Sequence, residues 1–187
     1  MAVALPKYRF TVRDYHRMVD AGILEEDARV ELIEGEVVPM SPVGPPHGAS
    51  VDRATRVFVR RCGDRAIVRV QGAVELDLHN EPQPDLLLLR PRDDFYASDQ
   101  PGPGDVLLAI EVSDTTLRRD RRVKLPLYAR TGIPELWIWN LKARRLEVCR
   151  NPSHAGYADL TVLGPEEPVS PLLLPDLTFT ALDLFGA

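Results

Sequence analysis

Asp85, Glu111 and Lys124 are the residues whose types and surroundings could do chemistry together. Asp85 opens the run Pro84-Asp85-Leu86-Leu87-Leu88-Leu89, and Glu111 closes Val106-Leu107-Leu108-Ala109-Ile110-Glu111 before Val112-Ser113. Unbroken apolar stretches of this length are the pattern of strands buried on both faces. A carboxylate at the end of such a strand is costly unless it is paired, hydrogen-bonded or holding a metal. Two of them, on strands that could be neighbours and with a cation close behind, point to a metal-dependent phosphate-cleaving site. Mg²⁺ or Mn²⁺ would suit it, because such ions take one or two carboxylates together with water and substrate phosphate. A bound ion polarises the scissile phosphate and lowers the pKa of an attacking water. Lys124 would neutralise charge that grows in the transition state, or orient that water.

Each of these residues also has a purely structural reading. Asp85 could cap its strand or pair with an arginine, and Glu111 could sit in a buried salt bridge with Arg90 or Arg69. Lys124 follows Asp120 by four residues, the spacing of a helical ion pair worth about 0.2–0.5 kcal/mol. Glu31 alternates with Val30 and Leu32, the pattern of an exposed edge residue. His47 opens a helix, where a cap or surface role competes with a phosphate contact. Arg53, Arg56 and Arg60 lie at helical spacing, on a face that is either solvated or turned to DNA. Trp137 and Trp139 share a strand face and read as core or interface anchors.

Periodicity and turn chemistry outline the elements that must position these groups. Thr11 and Asp14 form a capping box, so a helix runs from there to Gly22. Residues 29–40 read as a hairpin turning at Glu34-Gly35. After a Pro/Gly loop at 41–46, a helix covers about 47–62. Residues 66–78 read as one strand with a bulge at Gln71-Gly72. The buried strands starting at Asp85 and Val106 come next, separated by an acidic Pro/Gly-rich loop. Residues 113–132 read mainly as helix, in which Pro126 demands a kink or a late start. A second hairpin covers 135–139 and 145–149, and the proline-rich tail 165–185 ends in a short helix or turn. This order predicts an α/β fold on a mixed sheet, one domain over residues 1–187 with an N-terminal helix and a proline-rich C-terminal tail.

Composition sets bounds on function. At 187 residues, 44% apolar and 27% charged, the chain fits a soluble globular protein. No apolar run approaches the roughly 20 residues needed to span a bilayer, and residues 1–7 lack the core of a secretory signal. Cys62 and Cys149 have neither metal-ligand spacing nor a disulfide framework around them. The expectation is a cytoplasmic protein without membrane contact. A formal charge of -5 argues against a general nucleic-acid coat. Yet basic residues cluster at 53–65 and 118–124, and a shared face could meet DNA. A homodimer is expected if two strands are cut symmetrically, with the Trp137 hairpin and the tail as candidate surfaces.

Pro84-Asp85, Glu111-Val112-Ser113 and Lys124 together resemble the PD-(D/E)XK nuclease superfamily. There the lysine normally lies two residues after the acidic residue, where this chain has Ser113. A fuller likeness covers nearly the whole chain. Arg29-Val30-Glu31-Leu32-Ile33-Glu34-Gly35-Glu36, His47, Pro84-Asp85-Leu86, Ile110-Glu111-Val112-Ser113, Asp120-Arg121-Arg122-Val123-Lys124, Tyr128 and Gly132-Ile133-Pro134-Glu135-Leu136-Trp137 resemble the Uma-two-type family of restriction-endonuclease-like proteins. The resemblance implies a restriction-endonuclease-like fold, a central mixed β-sheet flanked by helices. It further implies a metal site at Asp85 and Glu111, Lys124 as a migrated lysine, and Glu31 as an accessory acidic residue. The activity expected is metal-dependent hydrolysis of DNA phosphodiester bonds. The missing in-strand lysine and the acidic charge favour a rival, a weakly active or inactive nuclease-fold module that binds nucleic acid or assembles.

Overall fold

The computed structural model describes residues 7–25 and 27–186. Most of the segment 1–7, read above for a secretory signal, lies outside them. Helix α1 (Val12–Asp20) starts at Thr11, whose hydroxyl accepts from the Asp14 N–H while Asp14 reaches back to the Thr11 backbone. Strands β1 (Val30–Ile33) and β2 (Glu36–Pro39) form the expected hairpin. Its turn holds Glu34 at φ 53° and Gly35 at φ 69°. Helix α2 (Pro45–Cys62) begins two residues earlier than read, with Pro45 inside its first turn, where a missing N–H costs nothing.

The main sheet comprises β3 (Ile67–Val70), β4 (Leu86–Leu89), β5 (Val106–Ser113), β6 (Glu135–Asn140), β7 (Arg145–Ser153) and β8 (Gly156–Leu163), in that spatial order. Only β5 and β6 pair in parallel; the other neighbours are antiparallel. A parallel pair needs a crossover of a dozen or more residues. Here it runs through α3 (Leu117–Arg119), a π-helical turn (Asp120–Lys124) and α4 (Leu125–Arg130). The short pair β9 (Pro168–Val169) and β10 (Phe179–Thr180), then α5 (Ala181–Phe185), end the described chain.

Both sheet faces are covered, which explains the unbroken apolar runs. Leu86 to Leu89 are all fully buried. Leu86, Leu88, Ile110, Val112, Trp137 and Trp139 pack with Phe58 of α2 and with Phe179 and Leu184. Leu87, Leu89, Ala109, Leu136 and Ile138 pack on the other side with Leu127 and Tyr128 of α4. Burying each such leucine contributes about 1.5–3 kcal/mol.

Three sequence readings need correction, and a fourth holds. The strand read over 66–78 pairs as β3 only over its first part, because Gln71 turns out of extended backbone at φ 45°. The helix read from 113 starts at Leu117, since Ser113 still belongs to β5. Pro126 acts as expected: it lies in the first turn of α4, which begins at Leu125 directly after the π-helical turn. Its ring would crowd the carbonyl four residues back, and the wide turn ahead of it takes up the misfit, with the Leu125 N–H bonding to Asp120 O. The Trp137 hairpin offers no dimer surface through its tryptophans: both are buried, and Trp139 stacks on Phe185 at 5.1 Å. Strand β8 was not read at all. It is an edge strand whose residues are mostly exposed, so burial imposes little pattern on it.

Candidate active site

Antiparallel register brings the two carboxylates together. Leu86 lies opposite Ile110 and Leu87 opposite Ala109, so the next step places Asp85 opposite Glu111. The backbone agrees: the Val112 N–H donates to Asp85 Oδ2 at 2.8 Å. His47 from the first turn of α2 meets the same oxygen through Nε2 at 3.1 Å. That bond to Asp85 raises the His47 pKa, and burial opposes the rise. Its other nitrogen, Nδ1, is buried without a hydrogen-bond partner among the described residues.

Alternation along β5 turns Glu111 and Ser113 to the crossover face. Lys124 comes down onto it: Nζ lies 2.9 Å from Glu111 Oε1, 3.4 Å from Glu31 Oε2 and 3.5 Å from Gln83 O. The ammonium thus donates to Glu111 and Gln83 and forms an ion pair with Glu31. The Tyr128 hydroxyl donates to the same Glu111 oxygen at 2.8 Å. Burial, foremost, pushes the Glu111 carboxyl up to about 8, against the pull of Lys124. Burial works against the Lys124 charge, yet Glu111, Glu31 and Asp120 outweigh it and hold the ammonium above its ordinary pKa. The Tyr128 phenol is pushed well up, first by burial and then by Glu111.

Several structural alternatives fall away here. Glu31 is not an exposed edge residue; only 1% of it is exposed. The bridge between Leu32 and Glu81 ties the hairpin to residues 81–83. Glu31 then meets Arg119, Lys124 and the Gln83 N–H, the last at 3.2 Å. Glu111 pairs with neither Arg90 nor Arg69, and the Asp85 partner is a histidine rather than an arginine. Lys124 does not take Asp120 as its helical partner. Asp120 instead accepts from Ser113 Oγ at 2.6 Å and Thr116 Oγ1 at 2.7 Å. Ser113, in the place where a lysine was expected, thus anchors the start of the crossover that carries Lys124.

These groups line a cleft of about 260 Å³. Glu31, Asp85, Glu111, Asp114 and Asp120 face Arg29, Arg119 and Lys124 there, a formal excess of acid that suits a divalent cation. Among the described residues no three His, Cys, Asp or Glu side chains are grouped to hold a metal by themselves. The pair Asp85 and Glu111 is the number of carboxylates Mg²⁺ ordinarily takes. Their hydrogen bonds all fall on Asp85 Oδ2 and Glu111 Oε1, which leaves one oxygen of each for a ligand. The donor set therefore fits such an ion.

The chain matches the Uma2 family, described as "Putative restriction endonuclease", over residues 12–183. It belongs to that family. This is the Uma-two-type family that the sequence resembles. A crystal structure described as "a putative nuclease belonging to DUF820", from Anabaena variabilis, superposes with a TM-score of 0.69 at 15% identity. The match covers 94% of this chain and 97% of that one, and at such identity it establishes the fold alone. No curated protein matches the chain. Among the described residues no helix is long and apolar enough to cross a membrane.

The sequence assigns no site role to Tyr128 or Gln83, places Arg119 only within a basic cluster, and pairs Asp120 with Lys124 rather than with Ser113 and Thr116. For Tyr128 a signal was there. It lies four positions after Lys124, a spacing that puts the two on one helix face. Gln83 acts through its backbone, which side-chain chemistry cannot announce.

Proposed function

We propose that this Uma2 protein is a divalent-metal-dependent nuclease that hydrolyses DNA phosphodiester bonds, with Mg²⁺ or Mn²⁺ as the ion. The observation that carries the reading is the placement of Lys124: its ammonium lies in contact with Glu111, beside the strand end that bears Asp85. A lysine delivered from the crossover thereby stands over the carboxylate that the in-strand position, Ser113, cannot serve. Asp85 and Glu111 would hold the ion. When bound, it polarises the phosphate and favours ionisation of a water.

The chain's own residues do the rest. Lys124, itself buried, neutralises charge growing on the phosphate oxygens, and burial strengthens that contribution. Both Glu31 oxygens are engaged, by Arg119 on one side and by Lys124 and Gln83 on the other. Glu31 therefore steadies the two cations. Arg29 and Arg119 at the cleft attract a polyanion, as do the exposed arginines 53, 56 and 60 on α2. Hydrolysis in solution, action on two strands as a C₂ dimer, and a cytoplasmic setting complete the proposal.

The test is a cleavage assay over supercoiled DNA, linear DNA and RNA with Mg²⁺ or Mn²⁺, with Asp85→Asn as control. Metal-dependent cleavage that Asp85→Asn abolishes supports the reading; equal cleavage by the variant sinks it. The second reading, a nucleic-acid-binding or assembly module with little activity, draws on the Lys124 contacts, since its ammonium is already engaged by Glu111, Glu31 and Gln83 O. For that reading, DNA is retained in a mobility-shift assay and stays intact under every metal.

A further inference from the structure

Glu111 is held unevenly. Its Oε1 accepts two hydrogen bonds, from Lys124 at 2.9 Å and from Tyr128 at 2.8 Å, while none falls on Oε2 among the described residues. Tyr128 is fully buried in the core beneath α4 and packs with Leu127, Leu136 and Ile138, so its ring has no room to swing away. It sits on α4, which continues directly from the π-helical turn that carries Lys124. A carboxylate with one oxygen saturated by two donors and backed by a rigid ring has a single oxygen to offer.

We propose that Tyr128 is a positioning residue: it locks the Glu111 carboxylate so that one oxygen serves the cleft, and it thereby biases the site toward Mn²⁺ or Mg²⁺ over Ca²⁺. This rests on the metal-dependent reading given above. The physical basis is the contrast between the ions. Mg²⁺-like ions demand tight octahedral shells and accept single carboxylate oxygens, whereas Ca²⁺ tolerates six to eight ligands and readily takes both oxygens of one carboxylate. Partners outside the ligand shell typically alter metal affinity about 10–100-fold.

The experiment is isothermal calorimetry of the full chain with Mn²⁺ and with Ca²⁺, for wild type, Tyr128→Phe and Glu111→Gln. Tyr128→Phe should weaken Mn²⁺ binding by about 10-fold or more and leave Ca²⁺ binding equal or tighter, so the preference between the ions falls. A merely structural role would weaken both ions together. A preference that stays the same in Tyr128→Phe overturns the assignment while the metal site itself stands. Wild type that binds neither ion overturns both. Metal-induced infrared difference spectra of wild type minus Glu111→Gln give a second measurement that does not depend on the tyrosine variant folding. A carboxylate splitting typical of one-oxygen coordination with Mn²⁺ supports the proposal, and a two-oxygen signature rejects it.

Discussion

Replacing Lys124 with methionine keeps most of the side-chain volume and removes the charge. On the proposed mechanism this deletes a positioned cation, which costs about 10²–10³ in rate, or roughly 2.7–4 kcal/mol. Its effect on stability follows from Glu111. The carboxyl sits at about 8 in the folded chain against an ordinary 4.5. A folded pKa above the unfolded one means that the folded state binds the proton more tightly. The stability from this group is full below the ordinary value and is lost as pH rises through the folded pKa. In the wild type that loss ends near pH 8. Without Lys124 the folded pKa climbs further, and the loss continues at about 1.4 kcal/mol per pH unit. The melting gap between Lys124→Met and wild type should therefore widen from pH 7 to pH 9 by about 3–6 °C for a chain of this size. Scanning fluorimetry at the two pH values reads the gap, and cleavage at saturating Mn²⁺ reads the rate. A gap that does not widen would show that Lys124 is not what holds Glu111. Cleavage within about threefold of wild type would remove Lys124 from the chemistry.

Two further predictions concern the frame. Glu135 is fully buried and accepts from Trp137 Nε1, Arg150 and the Leu172 N–H, tying the C-terminal tail to β6. Glu135→Ala strands these donors and should lower stability by about 3–5 kcal/mol, read as a lower urea midpoint. Gly35 sits at φ 69°, and a Cβ there would lie 2.8 Å from Arg9 Cβ and 3.0 Å from Phe10 O. Gly35→Ala should therefore cost at least about 1–2 kcal/mol, with an unchanged midpoint arguing against the close approach.

The sequence was most legible where burial left no choice. The four leucines after Asp85 and the run before Glu111 announced two-sided burial, and their register follows once they are neighbours. Local chemistry was equally plain at Thr11 with Asp14 and at Glu34-Gly35. What stayed hidden depended on tertiary placement. Glu31 reads as an edge residue because strand alternation says nothing about which element will later cover it. Asp120 reads as the partner of Lys124 at helical spacing, yet Ser113 and Thr116 capture it. The exposed residues of β8 left no periodic mark, and the interruption at Gln71-Gly72 reads as a bulge where the strand in fact ends.

The parallel pairing of β5 with β6 also bears on how the molecule comes into being. Synthesis runs from Glu31 to Tyr128 before any of β6 exists, so every cleft side chain precedes the strand that completes the sheet beside Glu111. A parallel partner cannot be recruited by a tight turn; it must wait until the intervening helices fold back, a slow, non-local step. A chain halted after Tyr128 would carry all of the cleft's chemistry but lack the strand against which it is set.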